Sequence, residues 1–183
     1  MWRKLSAVAF GLLLTAGSAS ASALDKHDLQ LFKDIQKSVN RYVYFTIFDD
    51  VSASVKDGVV TLEGHVTLPF KRDDIEKRVA KVDGVVKVQD RIAVLPVSSY
   101  DDQLRLRLAR AIYGQPGFWM YGHGANPSIH IVVDHGHVTL TGVVNNDADR
   151  QIAATTARQQ FGVMSLKNQL KTNSEVRDAL ERS

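Results

Sequence analysis

The chain has 183 residues, with 23 lysines and arginines against 20 aspartates and glutamates, and it contains no cysteine. A chain without cysteine forms no disulfide, has no thiol nucleophile and builds no cysteine-ligated zinc site. We also expect no lipid anchor of the kind that is attached to a cysteine. This length allows one domain or two small ones.

The first 23 residues have the pattern of a secretory signal peptide. Arg3 and Lys4 precede an apolar run over residues 5–14, which is too short to cross a bilayer as a helix. Small residues follow, with Ala-x-Ala patterns that end at Ala21 and Ala23. We therefore predict export to the periplasm with cleavage near Ala21 or Ala23, and no later stretch is apolar enough to predict a transmembrane span.

Removal of this segment leaves a nearly neutral chain. Arg3 and Lys4 are lost, so the basic count falls from 23 to 23 − 2 = 21 while the acidic count stays at 20. A net charge near +1 gives no reason to expect nucleic acid as a partner.

The first predicted unit begins with a helix and continues with a hairpin. Leu31, Ile35 and Val39 recur at helical spacing, and residues 51–55 then alternate between apolar and polar side chains as in a half-buried strand. Asp57-Gly58 predicts a type I′ hairpin turn, which pairs residues 51, 53 and 55 with 64, 62 and 60. A second helix is predicted from Pro69 to about residue 82, and a strand over 85–94 completes the unit.

The second unit is a repeat of the first. Residues 58–94 align without a gap with 136–172, at an offset of 136 − 58 = 78, and nine of the 37 pairs are identical, where about two or three are expected by chance. The first helices align at an offset of 73, Leu31 with Leu104, so the second unit carries 78 − 73 = 5 extra residues before its hairpin. We predict domains over 28–96 and 100–174, with a C-terminal tail over 175–183.

Each unit is thus expected to be an αββαβ domain of the α+β class, with a three-stranded mixed sheet and two helices packed on one face. Six glycines recur at equivalent positions and are interpreted as backbone requirements rather than ligand sites. They are Gly58, Gly64, Gly84, Gly136, Gly142 and Gly162.

The repeated motif resembles the BON (bacterial OsmY and nodulation) family. The resemblance rests on the Gly-x-Val-Thr-Leu-x-Gly-x-Val hairpin, on Arg72 and Arg150 in the following helix, and on the Gly-Val pairs at 84–85 and 162–163. It covers nearly all of residues 28–174. It implies a periplasmic, stress-related envelope protein without catalysis, and a role in binding phospholipid or envelope surfaces.

The sequence offers little that predicts chemistry. It has no serine-nucleophile elbow, no His-Glu-x-x-His motif and no phosphate-binding glycine-rich loop. Four histidines cluster in the second unit, at 123, 130, 135 and 137. In the predicted register His130 and His137 lie on the solvent face of the hairpin and are not neighbours. We expect no metal site, no cofactor and no enzymatic activity.

A candidate contact surface lies in the second unit. Its first helix carries a second apolar stripe opposite the core face, flanked by arginines, and a Gly/Pro loop rich in aromatic residues follows. Such a stripe must be covered by something, either the other domain, a protein partner or a bilayer interface. The predicted contact residues are Arg105, Leu106, Arg107, Arg110, Tyr113, Phe118, Trp119, Met120 and Tyr121. The alternative is that the loop side chains fill the core or the seam between the domains.

Two functions follow from this pattern. In the first, the protein docks on phospholipid or on an envelope protein through its second domain, and the arginines make docking depend on anionic lipid and on salt. In the second, it is a periplasmic chaperone-like protein that holds unfolded clients on exposed apolar faces.

Overall fold

The computed structural model describes residues 21–123 and 127–181. The predicted signal peptide over 1–23 therefore falls almost wholly outside the described residues. No helix in the described ranges has both the length and the apolar character that a membrane crossing requires.

The first domain has the predicted αββαβ order. Helix α1 covers Ala21–Asn40, strands β1 and β2 cover Asp50–Lys56 and Val59–Val66, helix α2 covers Pro69–Val79, and strand β3 covers Lys87–Val94. Strands β1 and β2 are antiparallel, and β3 joins β2 in parallel. The register pairs residues 51, 53 and 55 with 64, 62 and 60, as the turn and the alternation predicted.

The second domain repeats this order with additions. Helix α3 covers Ser99–Tyr113 and a 3₁₀ turn covers Phe118–Gly122, followed by β4 (Ile129–Asp134), β5 (His137–Val144) and α4 (Asp147–Arg158). The third strand is broken into β6 (Ser165–Asn168) and β7 (Lys171–Thr172), both parallel to β5. Residues 175–181 of the segment predicted as a tail belong to helix α5, Asn173–Glu181. The Glu175 carboxylate of this helix accepts a hydrogen bond from Arg150 at 2.9 Å.

Both helices of each domain lie on one face of its sheet. Helix α1 contacts α2 and α3 contacts α4, and every one of these helices also contacts a strand of its own sheet. The strand positions that face them are almost fully buried, because side chains alternate between the two faces of a strand. The predicted α+β architecture of two tandem domains is confirmed.

Both hairpins close with the same turn, held by an aspartate from the first helix. Asp57 and His135 have φ of 51° and 49° and each is followed by a glycine with positive φ, as a type I′ turn requires. The Asp28 carboxylate accepts the amide of Asp57 at 3.0 Å. In the second domain Asp101 accepts two turn amides, those of His135 and the following glycine, each at 2.9 Å. These aspartates pin the turn against the helix, a role that the sequence did not reveal.

A buried ion pair secures the loop between α1 and β1. Asp49 has no exposed surface, and its carboxylate accepts hydrogen bonds from Lys71 at 2.7 Å, from the Thr67 amide at 2.8 Å and from the Thr46 amide at 2.8 Å. Removing two charges from water is costly unless their bonding capacity is used. The Asp49 carboxylate meets that condition, so the loop is tied to the start of α2.

The two domains meet along a seam between that loop and β4. The Ile131 amide donates to the Ile47 carbonyl at 2.7 Å, and Nδ1 of His130 lies 2.7 Å from the Asp49 carbonyl oxygen. A carbonyl can only accept, so Nδ1 carries the proton. The His130 ring also lies 5.5 Å from the Phe45 ring.

His130 is therefore buried, with 2% of its surface exposed, and the predicted solvent position is wrong. The prediction assigned the correct face of the hairpin, but the first domain covers this part of that face. Burial lowers the pKa of His130, and the nearby carboxylate of Asp50 opposes that shift. Burial also raises the pKa of Asp50, while His130, Thr141 and His65 lower it.

Candidate docking surface of the second domain

Helix α3 carries five of the nine residues predicted for the contact surface. Its start is capped by Ser98, whose hydroxyl accepts the Asp101 amide at 3.1 Å, and a cap of this kind satisfies an amide that the helix itself leaves free. Leu104, Leu108 and Ile112 are fully buried against the sheet. Leu106 and Arg110 are exposed on the opposite side of the helix.

Two of the three predicted arginines are engaged by the protein itself. Arg105 is only 4% exposed. It donates to the Val133 carbonyl at 2.6 Å and to the Asp102 carboxylate at 2.5 Å, so it holds α3 against β4 and is not available to a partner. Arg107 is half-buried and donates to the Phe161 carbonyl at 3.3 Å.

The loop after α3 divides into an inner and an outer pair. Phe118 and Tyr121 are buried in the hydrophobic core of the second domain, with ring centroids 5.2 Å apart. Trp119 and Met120 remain exposed, at 63% and 49%. A 3₁₀ turn repeats every three residues, which places residues i and i+3 on the same side. The sequence did not predict this turn, so it treated the four side chains together, as a contact surface or alternatively as core, whereas the structure divides them into two buried and two exposed residues.

Tyr121 fixes the loop to the start of α4. Its hydroxyl donates to the Asp149 carboxylate and accepts the Asn145 amide at 3.0 Å. Burial, with help from Asp149, raises the pKa of Tyr121 to about 12. The repeat offset of 149 − 71 = 78 makes Asp149 the equivalent of Lys71, which is paired with Asp49 in the first domain. In the second domain the hydrogen bond between Tyr121 and Asp149 takes the place of that ion pair.

Tyr113 serves the same loop from the end of α3. It is half-buried, and its hydroxyl donates to the Ile129 carbonyl at 2.6 Å. Burial raises its pKa. Three of the predicted residues are therefore buried and not part of the contact surface: Arg105, Phe118 and Tyr121. Tyr113 lies beneath that surface and holds the loop in place.

Five predicted residues remain as the reduced contact surface: Leu106, Arg107, Arg110, Trp119 and Met120. The Trp119 ring stands edge-on to the His123 ring at 5.0 Å, and the His123 Nδ1 lies 2.7 Å from the Trp119 carbonyl. The Met120 sulfur lies 3.5 Å from the side-chain amide of Asn145. The exposed rings thus stand on a loop that is braced from within.

The other predicted site features can be placed as well. All six recurring glycines have positive φ, which agrees with their assignment to the backbone. Across the described residues, His, Asp and Glu side chains do not gather into a group of three or more that could hold a metal ion.

Comparison with known families bears on both domains. The model of the BON domain matches residues 27–96 and again residues 101–174. The chain belongs to the BON family. No curated protein matches it.

Two solved structures show a distant likeness to this chain. One is a structure of CdsD, a structural protein of the type III secretion system of Chlamydia trachomatis, at 15% identity and a TM-score of 0.30, covering 84% of this chain and 99% of that one. Another is the C-terminal domain of CdsD, at 16% identity and a TM-score of 0.31, covering 85% of this chain and 67% of that one. A TM-score this low says nothing about what this BON protein does.

Proposed function

We propose that this BON protein is a non-catalytic binding protein of the bacterial periplasm that docks on a phospholipid surface or an envelope partner through its second domain. The observation that carries the proposal is the exposure of Trp119 and Met120 at the end of α3. A large aromatic ring on a braced loop has no role in the core, and rings with a polar edge favour the headgroup level of a bilayer.

The charge on α3 supports an anionic partner. Arg110 is exposed on the same outer face as Leu106, with Arg107 half-exposed beside them. Each basic residue near an anionic membrane contributes about 1 kcal/mol, so the arginines alone would bind weakly. Burial of the apolar side chains must supply the remaining affinity.

The groups with unusual pKa values do not suggest catalysis. Within the described ranges, His130 and Asp50 lie in the seam. The hydroxyls of Tyr42, Tyr113 and Tyr121 are hydrogen-bonded to neighbouring parts of the fold. The Glu175 carboxylate, which lies near Lys171, accepts hydrogen bonds from Arg150 and from the Thr172 amide. A catalytic site needs such groups to converge on a cleft, and these groups instead tie elements together. Their positions support a binding role.

A sedimentation assay with phosphatidylcholine vesicles, with and without phosphatidylglycerol, tests the proposal. The double variant Trp119→Ser, Arg110→Glu should lose binding to the anionic vesicles while its melting temperature stays close to that of the parent. The matched control makes the same kinds of change in the first domain, Val43→Ser with Arg41→Glu, at two exposed positions. Binding should weaken with salt. A folded double variant that sediments like the parent contradicts the proposal.

The chaperone-like function is the second candidate, and exposed apolar side chains of the first domain favour it. Val43 is 82% exposed, and Tyr44 and Phe70 stand edge-on to one another with centroids 5.8 Å apart at the surface. Suppression of the aggregation of a heated client protein, insensitive to salt and lost on Tyr44→Ser with Phe70→Ser, would favour this function over lipid docking.

A further inference from the structure

The third strand of each domain lies at an edge of its sheet. The first sheet has the order β1-β2-β3, and in the second sheet β6 ends the order β4-β5-β6. An edge strand presents a row of amides and carbonyls that its own sheet does not pair, and a strand from another chain can pair with them. The groups that these edge amides contact therefore decide whether two copies of the chain can join edge to edge.

In the first domain Asp90 closes this edge. The Leu95 amide donates to the Val66 carbonyl at 2.9 Å. Because amides along a strand point alternately to its two sides, the Ile92 amide, three residues earlier, points away from β2 to the outer edge. This amide donates to the Asp90 carboxylate at 2.9 Å. Pro96 occupies a later outward position and has no amide hydrogen to offer a partner.

Asp90 also places a charge on the inner face of β3. Side chains alternate along a strand, so Asp90 shares a face with Val88 and Ile92, which pack in the core of the first domain. Its side chain is only 16% exposed, and Oδ2 lies 3.7 Å from Nε of Arg72 in α2, whose closer partner is Asp73 at 3.0 Å. An inward-pointing charge on an edge strand prevents pairing, because an added strand would remove that charge from water.

The second domain closes the same edge with a different residue. The repeat offset makes Asn168 the equivalent of Asp90, since 168 − 78 = 90. The Gln169 amide donates to the Leu140 carbonyl at 2.8 Å, so the next amide, that of Leu170, faces the edge. This amide donates to the side-chain oxygen of Asn168 at 3.2 Å, and the strand is interrupted here, between β6 and β7.

Further edge groups of the second sheet are bound as well. Two residues beyond Leu170, the Thr172 amide donates to the Glu175 carboxylate at 2.9 Å. On the opposite edge of this sheet, three groups of β4 have partners: the Ile129 carbonyl binds Tyr113, the Ile131 amide binds the Ile47 carbonyl, and the Val133 carbonyl binds Arg105. Among the described strands β3, with 8 residues, is therefore the longest that lies at an edge without interruption.

We infer that the outer edge of β3 is a strand-pairing surface for a second copy of this chain and that Asp90 keeps it closed. Apart from Asp90, the inner-face positions Val88, Ile92 and Val94 are apolar and pack on the core. A second copy brings an identical edge, so two β3 strands can pair about a two-fold axis and the contact closes on itself. Without the carboxylate, the apolar faces of the two copies would become continuous across the joined sheets. This inference goes beyond the proposed function and does not depend on it.

The test removes the carboxylate from the mature protein, from residue 24 onward. In sedimentation velocity over a range of concentrations, Asp90→Leu should form dimers with a dissociation constant at least about tenfold lower than that of the parent, which corresponds to about 1.4 kcal/mol. Asp90→Asn is the matched control, because it keeps the acceptor oxygen that Asn168 supplies in the second domain, and it should sediment like the parent. Asp90→Ala adds no bulk and carries the same expectation as Asp90→Leu, so it replaces the leucine variant if circular dichroism shows that variant to be misfolded.

Spin labels show which edge pairs. The chain has no cysteine, so Arg91→Cys and Lys167→Cys each accept a single label at an exposed position of β3 or β6. In the Asp90→Leu background, labels at 91 on two copies should approach within about 20 Å, since paired strands lie about 5 Å apart. Labels at 167 should show no such contact.

The outcomes decide the inference without reference to vesicle binding. Folded Asp90→Leu and Asp90→Ala variants that sediment like the parent show that Asp90 does not close the edge, and the inference is then wrong. It is equally wrong if Asp90→Asn associates as strongly as Asp90→Leu, if the dimer forms while the labels at 91 stay apart, or if the parent already pairs through β3. Loss or retention of lipid docking by these variants bears on the proposed function alone.

Discussion

Gly142 should tolerate no side chain at all, because a β-carbon there would collide with the backbone. A β-carbon built at Gly142 lies 2.0 Å from the Ser128 carbonyl oxygen, and the residue has a φ of +110°. This carbonyl also accepts the next amide of the hairpin, that of Val143, at 2.9 Å, so it cannot move away without breaking that hydrogen bond.

Two effects contribute to the loss of stability that we expect for Gly142→Ala. Holding a residue other than glycine at this φ costs about 1–3 kcal/mol, and relieving the clash costs about another 1–3 kcal/mol. We therefore expect Gly142→Ala to reduce the free energy of unfolding by about 2–6 kcal/mol. For a chain of this size, that corresponds to a fall in melting temperature on the order of 10 °C, followed by circular dichroism during heating or urea titration.

Gly117 supplies the matched control. It has a φ of +83°, yet a β-carbon built there meets no other atom within 4 Å. Gly117→Ala should therefore carry the conformational strain without the clash, a loss of about 1–2 kcal/mol. The reasoning is refuted if the two alanine variants lose the same stability. Gly64→Ala should behave like Gly142→Ala, since its β-carbon would lie 2.0 Å from the Asp50 carbonyl.

Two further predictions concern buried charge. Asp101→Ala leaves two turn amides without their acceptor and should cost about 2–4 kcal/mol, against about 1–2 kcal/mol for Asp28→Ala, which frees one amide; equal losses in urea titrations would contradict this. Because burial depresses the pKa of His130, its contribution to stability is present above the unfolded pKa of about 6.5 and is lost as the pH falls through the folded value. The pKa of Asp50 is raised, so its contribution to stability has the opposite pH dependence. That contribution is present at low pH and is lost as the pH rises through the pKa of Asp50 in the folded protein. The parent should therefore lose more stability than His130→Gln between about pH 7.5 and about pH 5.5, and parallel curves of melting temperature against pH would show that His130 does not titrate in the seam.

The sequence alone determined the features that depend on residues close together in the chain. Alternation over residues 51–55 and the Asp57-Gly58 turn gave the correct register of the first hairpin, because a two-residue loop and a period of two leave one pairing that buries the apolar face. The equivalent features, repeated 78 residues later, gave the second. Together they sufficed for the αββαβ fold and for the family.

The tertiary structure decided which predicted surface residues are exposed. His130 lies on the predicted face of β4 and is buried only because the loop before β1 crosses it. Phe118 and Trp119 are neighbours of similar character in the sequence, yet one fills the core and the other meets solvent. Whether a side chain is buried depends on which distant parts of the chain pack against it. The hydrophobicity and periodicity of a single segment do not contain that information.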